Sequence, residues 1–207
     1  MRNLKSILVI AFVSLMLTSC GDNDAPVLEP VVFNQAANIP APQIGNTGRG
    51  PVSGEFTKFS FKTGTVVTDT SWDIAFRGTD ILVNRGSKIG DLADEPERTG
   101  DVGVFLETGV FKDVLLVPEV ADFTQDAQGN YALPTGSGNG WYTYDRVNNV
   151  INPISGKVFI IRTVDGHYAK MEILGYYKDL DSSNPANGRF YTFNYVYNPN
   201  LGDKSLE

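Results

Sequence analysis

The chain is poor in the side chains that most metal and nucleophile chemistry needs. It holds one cysteine, Cys20, one histidine, His167, and three methionines in 207 residues. A single cysteine excludes an internal disulfide and any thiolate cluster. A single histidine leaves most metal sites short of imidazole and most nucleophile–base pairs without a base. Positive charge is also scarce, since 17 Lys+Arg against 24 Asp+Glu gives a net charge of −7. A chain this acidic has no basic stripe with which to neutralise phosphates, so nucleic acid is not an expected partner. No apolar run reaches the roughly 20 residues of a spanning helix, and no repeat of fixed period is visible. Nucleophile-elbow, phosphate-loop and zinc-hydrolase motifs are missing as well. Two carboxylates can converge in any fold, but nothing in the residue order points to such a pair. The expectation is a protein that is not an enzyme.

What is present begins at the N-terminus. Arg2 and Lys5 precede an apolar stretch from Ile7 to Leu17, and the small residues Thr18 and Ser19 lead to Cys20. This is the layout of a secretory signal peptide. It resembles a bacterial lipoprotein signal over residues 1–19, cut before Cys20, whose thiol is then acylated. The resemblance implies export and a lipid anchor in the outer membrane; buried acyl chains contribute about 0.8 kcal/mol per methylene. Asp22 and Asp24 resemble the export signal of surface-displayed lipoproteins of the Bacteroidota, which implies that the protein faces the cell exterior. Loss of residues 1–19 removes Arg2 and Lys5, giving 15 − 24 = −9, and leaves His167 and Met171 as the remaining histidine and methionine. Residues 20–54 carry Pro26, Pro30, Pro40, Pro42 and Pro51 and read as a tether, with a short docked strand at Val31 to Phe33.

Beyond the tether the pattern is that of strands. Phe59 and Phe61 alternate with polar neighbours, and Trp72, Ile74 and Phe76 fall on one strand face with Asp73 and Arg77 on the other. Asp73 and Arg77 lie four apart on one strand face and read as ion-paired with neighbouring strands, not as catalytic groups. Residues 87–100, with Asp91, Asp94, Glu95 and Glu97, read as a solvated acidic loop that lacks the alternation of a calcium loop. Val110 to Val117 is apolar and fits a strand or a short helix. Lys157 to Thr163, Asp165-Gly166 and His167 to Tyr177 read as a hairpin with a two-residue turn. Tyr191, Phe193, Tyr195 and Tyr197 repeat at period two and face a core. Short strands separated by turns give an all-β single domain of mostly antiparallel strands over residues 55–199, with a tail at 200–207.

These strands resemble, in order, the HmuY-like haem-binding lipoprotein family of the Bacteroidota. The matching stretches are Phe59-Ser60-Phe61-Lys62-Thr63-Gly64, Trp72-Asp73-Ile74-Ala75, Val83-Asn84, Gly140-Trp141, Lys157-Val158-Phe159-Ile160-Ile161-Arg162 and Tyr191-Thr192-Phe193-Asn194-Tyr195. The resemblance implies an all-β surface lipoprotein that captures haem as its cofactor or cargo and passes it to an outer-membrane haem transporter. It further implies two axial side chains, histidine or methionine, one of them five residues beyond the tryptophan of the Gly-Trp block. That position holds Arg146, and no histidine, methionine or cysteine lies between Asp101 and Gly140. Haem acquisition with an atypical or missing axial ligand set is therefore the expectation. The alternative is a non-haem member that binds another small ligand, a peptide or a glycan, or an outer-membrane interaction component.

Five side chains are candidates for ligand binding. Tyr142 and Tyr144 flank the loop of the family ligand, and tyrosine ligates ferric haem. Arg146 keeps its proton and has no lone pair for iron, but can pair with a ligand carboxylate. His167 follows the Asp165-Gly166 turn, and Met171 lies between Ala169 and Ile173. Four strand residues place His167 and Met171 about 13 Å apart, too far to sandwich one iron.

Overall fold

The computed structural model describes residues 27–45, 52–119 and 121–207. Cys20 and the signal segment lie outside the described residues. Alternating apolar side chains produce eleven strands, which are β1 (Val32–Pro40), β2 (Thr57–Ser60), β3 (Thr65–Val67), β4 (Ile74–Arg77), β5 (Asp80–Val83), β6 (Gly103–Thr108), β7 (Tyr142–Asp145), β8 (Val150–Pro153), β9 (Lys157–Arg162), β10 (Tyr168–Tyr177) and β11 (Gly188–Asn198). They form a five-stranded sheet in the order β1-β11-β10-β9-β6, a four-stranded sheet in the order β3-β2-β4-β5, and a separate β7–β8 ribbon. The strand pairs are antiparallel. The expected all-β class is what the chain adopts. No helix among the described residues is long and apolar enough to cross a membrane.

The two sheets face each other through aromatic rings. Tyr191, Phe193 and Tyr195 of β11 project from one sheet, and Phe59, Phe61 and Phe76 from the other. Phe59 meets Phe193 edge-on at 5.1 Å, and Phe76 lies 4.5 Å from Tyr191. Such contacts add about 0.5–1.5 kcal/mol each beyond the area they bury. Tyr197, the fourth aromatic of the series, is only partly buried and donates its hydroxyl to Asp165 at 2.8 Å.

Several local expectations give way to packing. Trp72 does not share the face of Ile74 and Phe76; it joins Phe56, Ala75, Leu82 and Ile89 on the far side of the smaller sheet. The cause is a bend at Asp73, before β4 begins. Asp73 and Arg77 are both buried, and among the described residues neither forms the ion pair expected with a neighbouring strand. Asp73 accepts the backbone N–H groups of Phe61 and Val164, each at 2.7 Å, while Arg77 donates to the carbonyls of Gly54 and Ala93. The acidic loop is not wholly solvated either. Glu95 turns inward to Arg98 at 2.9 Å, Arg98 reaches Asp126 at 3.1 Å, and all three side chains are buried. Glu95 also accepts the N–H groups of Ile89 and Gly90, so one carboxylate folds the loop on itself.

Val110 to Val117 forms neither a strand nor a regular helix. It makes one 3₁₀ turn, Phe111–Asp113, laid on the outer face of the larger sheet against Val158 and Val196. The buried amine of Lys170 on β10 donates to the carbonyls of Phe111 and Val114 at 2.9 and 2.7 Å and pins the segment. The β9–β10 turn has three residues between the paired Thr163 and His167, closed by Gly166 at φ 82°. This is a type I turn followed by a left-handed residue, not the expected two-residue turn.

Both ends of the domain extend further than the sequence pattern marks. The strand expected at Val31 to Phe33 runs from Val32 to Pro40 and pairs with β11, so this part of the 20–54 stretch belongs to the sheet. The alternation is broken there by Asn38 at φ 58° and a register shift between Ala36 and Ile39. At the other end Leu206 is buried and its N–H donates to Leu115 at 2.8 Å, so residues 200–207 are packed down, not loose.

Candidate functional site

A groove of about 690 Å³ opens where the β7–β8 ribbon passes the far ends of β10 and β11. The ribbon that forms one wall is anchored by the Gly-Trp pair, which packs behind the lining residue Tyr176. A Cβ on Gly140 would run into the carbonyl oxygen of Pro134, so only glycine lets the two backbones touch. Trp141 can then sink into the core, where its ring lies 4.8 Å from Tyr142, 5.0 Å from Tyr191 and 5.7 Å from Tyr176. Its indole N–H donates to the carbonyl of Thr79 at 3.1 Å.

From that anchor the ribbon rises to a tip shaped by Asp145. Its carboxylate accepts the N–H of Val147 at 2.8 Å and that of Asn148 at 3.2 Å, and the Asn148 side-chain amide at 2.7 Å. Those bonds, the Asn148 side chain foremost, hold the Asp145 carboxyl below its usual value. Tyr144 lies on the groove wall, 41% exposed, and donates its hydroxyl to Oδ1 of Asn149 at 2.8 Å. Tyr177 fastens the second strand of the ribbon by accepting the N–H of Ile151 at 2.9 Å.

The opposite wall is the loop between β10 and β11. Asp181 organises it by accepting from Ser183 and Asn187, and Asn184 caps the N–H of Ala186. Arg189 follows with φ 71°, and its guanidinium donates to the carbonyl of Gln43 at 3.1 Å. The neighbouring Tyr176 hydroxyl has its pKa raised, chiefly by burial, against the opposing charge of Arg189. Among the described residues, Arg189 is the only cationic side chain lining the groove. Tyr144, Tyr176 and Tyr177 supply its aromatic surface, and Asn148, Asn149, Ser182 and Ser183 its amides and hydroxyls. Among the described residues, no histidine, methionine or cysteine lines it. Among the described residues there is no group of three or more His, Cys, Asp or Glu side chains arranged to hold a metal ion.

The five candidates from the sequence are not brought together. Tyr144 faces the groove. Tyr142 is buried in the core beside Trp141 and lies outside the groove lining. Arg146 sits exposed at the ribbon tip, also outside that lining. Met171 is fully buried on β10, opposite Phe159 and Tyr195 in register, and packs in the core. His167 lies at the other end of β10, in a second cavity of about 570 Å³ with Lys62, Tyr195 and Tyr197. There Asp165 is the hub, 3.2 Å from Nδ1 of His167 and 3.3 Å from Nζ of Lys62. Burial pushes the Asp165 carboxyl up, but bonds from Thr163 and Tyr197 and the neighbouring positive groups outweigh it and hold it at about 2.

Arg189, Tyr176 and Tyr177 escape sequence reasoning. They meet only because Tyr177 pairs with Gly188 across the β10–β11 ladder, a register that no local pattern announces. Asn148-Asn149 carries a turn signal, yet nothing marks that turn as a cavity wall.

Three solved structures resemble the fold. One is a candidate HmuY-like haem-binding protein from Bacteroides vulgatus, 18% identical, with a TM-score of 0.44 over 70% of this chain and 86% of that one. A candidate lipoprotein from Bacteroides fragilis is 16% identical, with a TM-score of 0.43 over 70% and 83% of the two chains. The apo form of an HmuY analogue from Tannerella forsythia is 16% identical, with a TM-score of 0.48 over 84% and 99%. No curated protein matches the chain. The sequence profile of the family described as HmuY protein matches residues 54–195, which takes in the smaller sheet, the Gly-Trp anchor, the groove lining except Gln43, and all but the last three residues of β11: the chain belongs to the HmuY family.

Proposed function

We propose that this protein is a lipid-anchored binding protein, not an enzyme, that takes up ferric haem in the groove between the β7–β8 ribbon and the β10–β11 loop. The observation that carries this reading is the placement of Tyr144. Of the three groove-lining tyrosines it is the exposed one, Tyr176 and Tyr177 being buried, and it stands on the ribbon where the family resemblance puts a ligand. The groove volume falls in the range of about 300–1,000 Å³ usual for small-molecule sites.

The residues present fit the group in one oxidation state. A phenolate is a hard oxygen donor that holds ferric haem, and the lining offers no nitrogen or sulfur donor that would hold the ferrous form. The Arg189 guanidinium suits a propionate carboxylate, with which it can form paired charge-assisted bonds. Acylated Cys20 would keep the protein on the outer membrane, facing outward, and an outer-membrane haem transporter would receive the cargo.

The test is a haem titration followed by absorbance, using a chain in which Cys20→Ser removes the acylation site. A saturable ferric spectrum at one equivalent, weakened by Tyr144→Phe and lost on reduction, is expected. A broad spectrum that never saturates would remove haem from the reading.

A second reading rests on the amides and hydroxyls of Asn148, Asn149, Ser182 and Ser183, which line the groove. They suit a polyhydroxylated ligand, and glycan-array binding without any Soret change would favour it.

A further inference from the structure

Half of the large apolar side chains that the described residues leave exposed fall in two short segments. Of fourteen, Val27, Leu28, Val32 and Phe33 belong to the entry into β1, and Val110, Leu115 and Leu116 to the segment pinned by Lys170. The two segments touch, because the ring of Phe33 meets that of Phe111 at 6.1 Å and Val31 packs on the same cluster. Single exposed apolar residues are ordinary on protein surfaces, whereas a contiguous set marks an interaction face. Phe33 is 58% exposed, Val110 58% and Leu116 61%, all on the outer side of the larger sheet. Val110, Leu115 and Leu116 also border a shallow cavity of about 420 Å³.

The chain that leads into this face says what covers it. Six residues lie between Cys20 and Val27, and the 27 − 20 = 7 steps of an extended chain, at most about 3.5 Å each, span about 25 Å in all. The entry is held in place: the Asn200 side chain accepts the N–H of Glu29 and donates to its carbonyl, each at 2.8 Å. A short linker to a membrane-fixed point raises the local concentration of this face at the bilayer to about the millimolar range, so weak insertion suffices. We infer that the face formed by Phe33, Val110, Leu115 and Leu116 rests on the lipid bilayer to which Cys20 is anchored. The inference depends on the lipid anchor proposed above. The groove lies at the opposite ends of β10 and β11 from the β1 entry, so it is not part of this face.

The test uses the acylated chain in phosphatidylcholine vesicles. Acylation occupies the only thiol, so a cysteine introduced by Leu116→Cys is unique and can carry an environment-sensitive fluorophore. Val110→Cys provides a second position, and Val147→Cys, 88% exposed at the ribbon tip, provides the control. Nitroxide-bearing lipids are expected to quench the labels at 116 and 110 several-fold more than the label at 147. Quenching at 116 and 110 no greater than at 147, on a chain whose mass shows acylated Cys20, overturns the docking alone. A mass showing free Cys20 and no vesicle association overturns the anchor and the docking with it.

Discussion

The Tyr144 hydroxyl donates to Oδ1 of Asn149 across the tip of the β7–β8 ribbon, at 2.8 Å. Rotating the Asn149 amide exchanges its oxygen for its Nδ2 group, which donates to a phenolate. The same pair can therefore hold the phenol in the free protein and the phenolate on ferric iron. Asn149→Asp replaces that donor with a negative charge that repels the phenolate oxygen. Ferric haem affinity is expected to fall about tenfold or more in Asn149→Asp, and to fall similarly in Tyr144→Phe. Titration at neutral pH checks this; full affinity in both variants would remove Tyr144 from the ligand set.

Two neighbouring carboxylates give the fold opposite responses to pH. Burial raises Asp73 from 3.8 to about 6, despite its two backbone N–H donors. The folded state then binds a proton that the unfolded chain has released, so stability falls as pH rises from about 4 to about 6. The shift corresponds to a loss on the order of 3 kcal/mol. Asp165 is held at about 2, so its contribution is present above its ordinary value of 3.8 and is lost as pH falls through the folded value. Urea midpoints measured from roughly pH 2 to 8 should peak near pH 4 if these two groups dominate. Asp73→Asn should flatten the upper limb, and Asp165→Asn the lower one. A limb that keeps its slope in the matching variant has another source.

The aromatic frame was legible because a strand buries alternate residues, and Tyr191, Phe193 and Tyr195 do so without interruption. Trp72 was misplaced for the same reason. It continues the period on paper, but the buried Asp73 bends the backbone and turns the indole to the other side. The acidic loop shows the limit of reading charge locally. Arg98 lies three residues from Glu95, but Asp126 comes from a separate segment 28 residues away, and only folding completes the triad. The groove was half legible: Tyr144 followed from the Gly-Trp block, whereas Arg189 and Tyr176 arrive through β10–β11 pairing.

Gly140 tests the anchor of the ribbon. A methyl group there collides with the Pro134 carbonyl, which is backbone and cannot swing aside. Gly140→Ala must shift the ribbon base and the seat of Trp141, a core defect expected to cost about 3 kcal/mol or more. The thermal midpoint should drop, and ligand affinity should fall even where the protein is fully folded. An unchanged midpoint would mean that the Pro134–Gly140 approach is not needed for packing.

Arg98 is the one cation between two buried carboxylates, Glu95 and Asp126. Removing it leaves both without their counter-charge, although Glu95 keeps the N–H groups of Ile89 and Gly90, and Asp126 those of Val83 and Ala132. Breaking a buried pair from one side costs about 3–5 kcal/mol, because the remaining charge is desolvated without compensation. Burial already raises the Asp126 carboxyl, and Arg98 is among the groups that lower it again. In Arg98→Met that opposition is gone, so the carboxyl should protonate in the folded state at higher pH. The variant should therefore be most destabilised near neutral pH and recover part of the loss on acidification. Unfolding of both proteins at neutral and mildly acidic pH measures the difference. A loss independent of pH would assign the defect to the missing side-chain volume and not to charge.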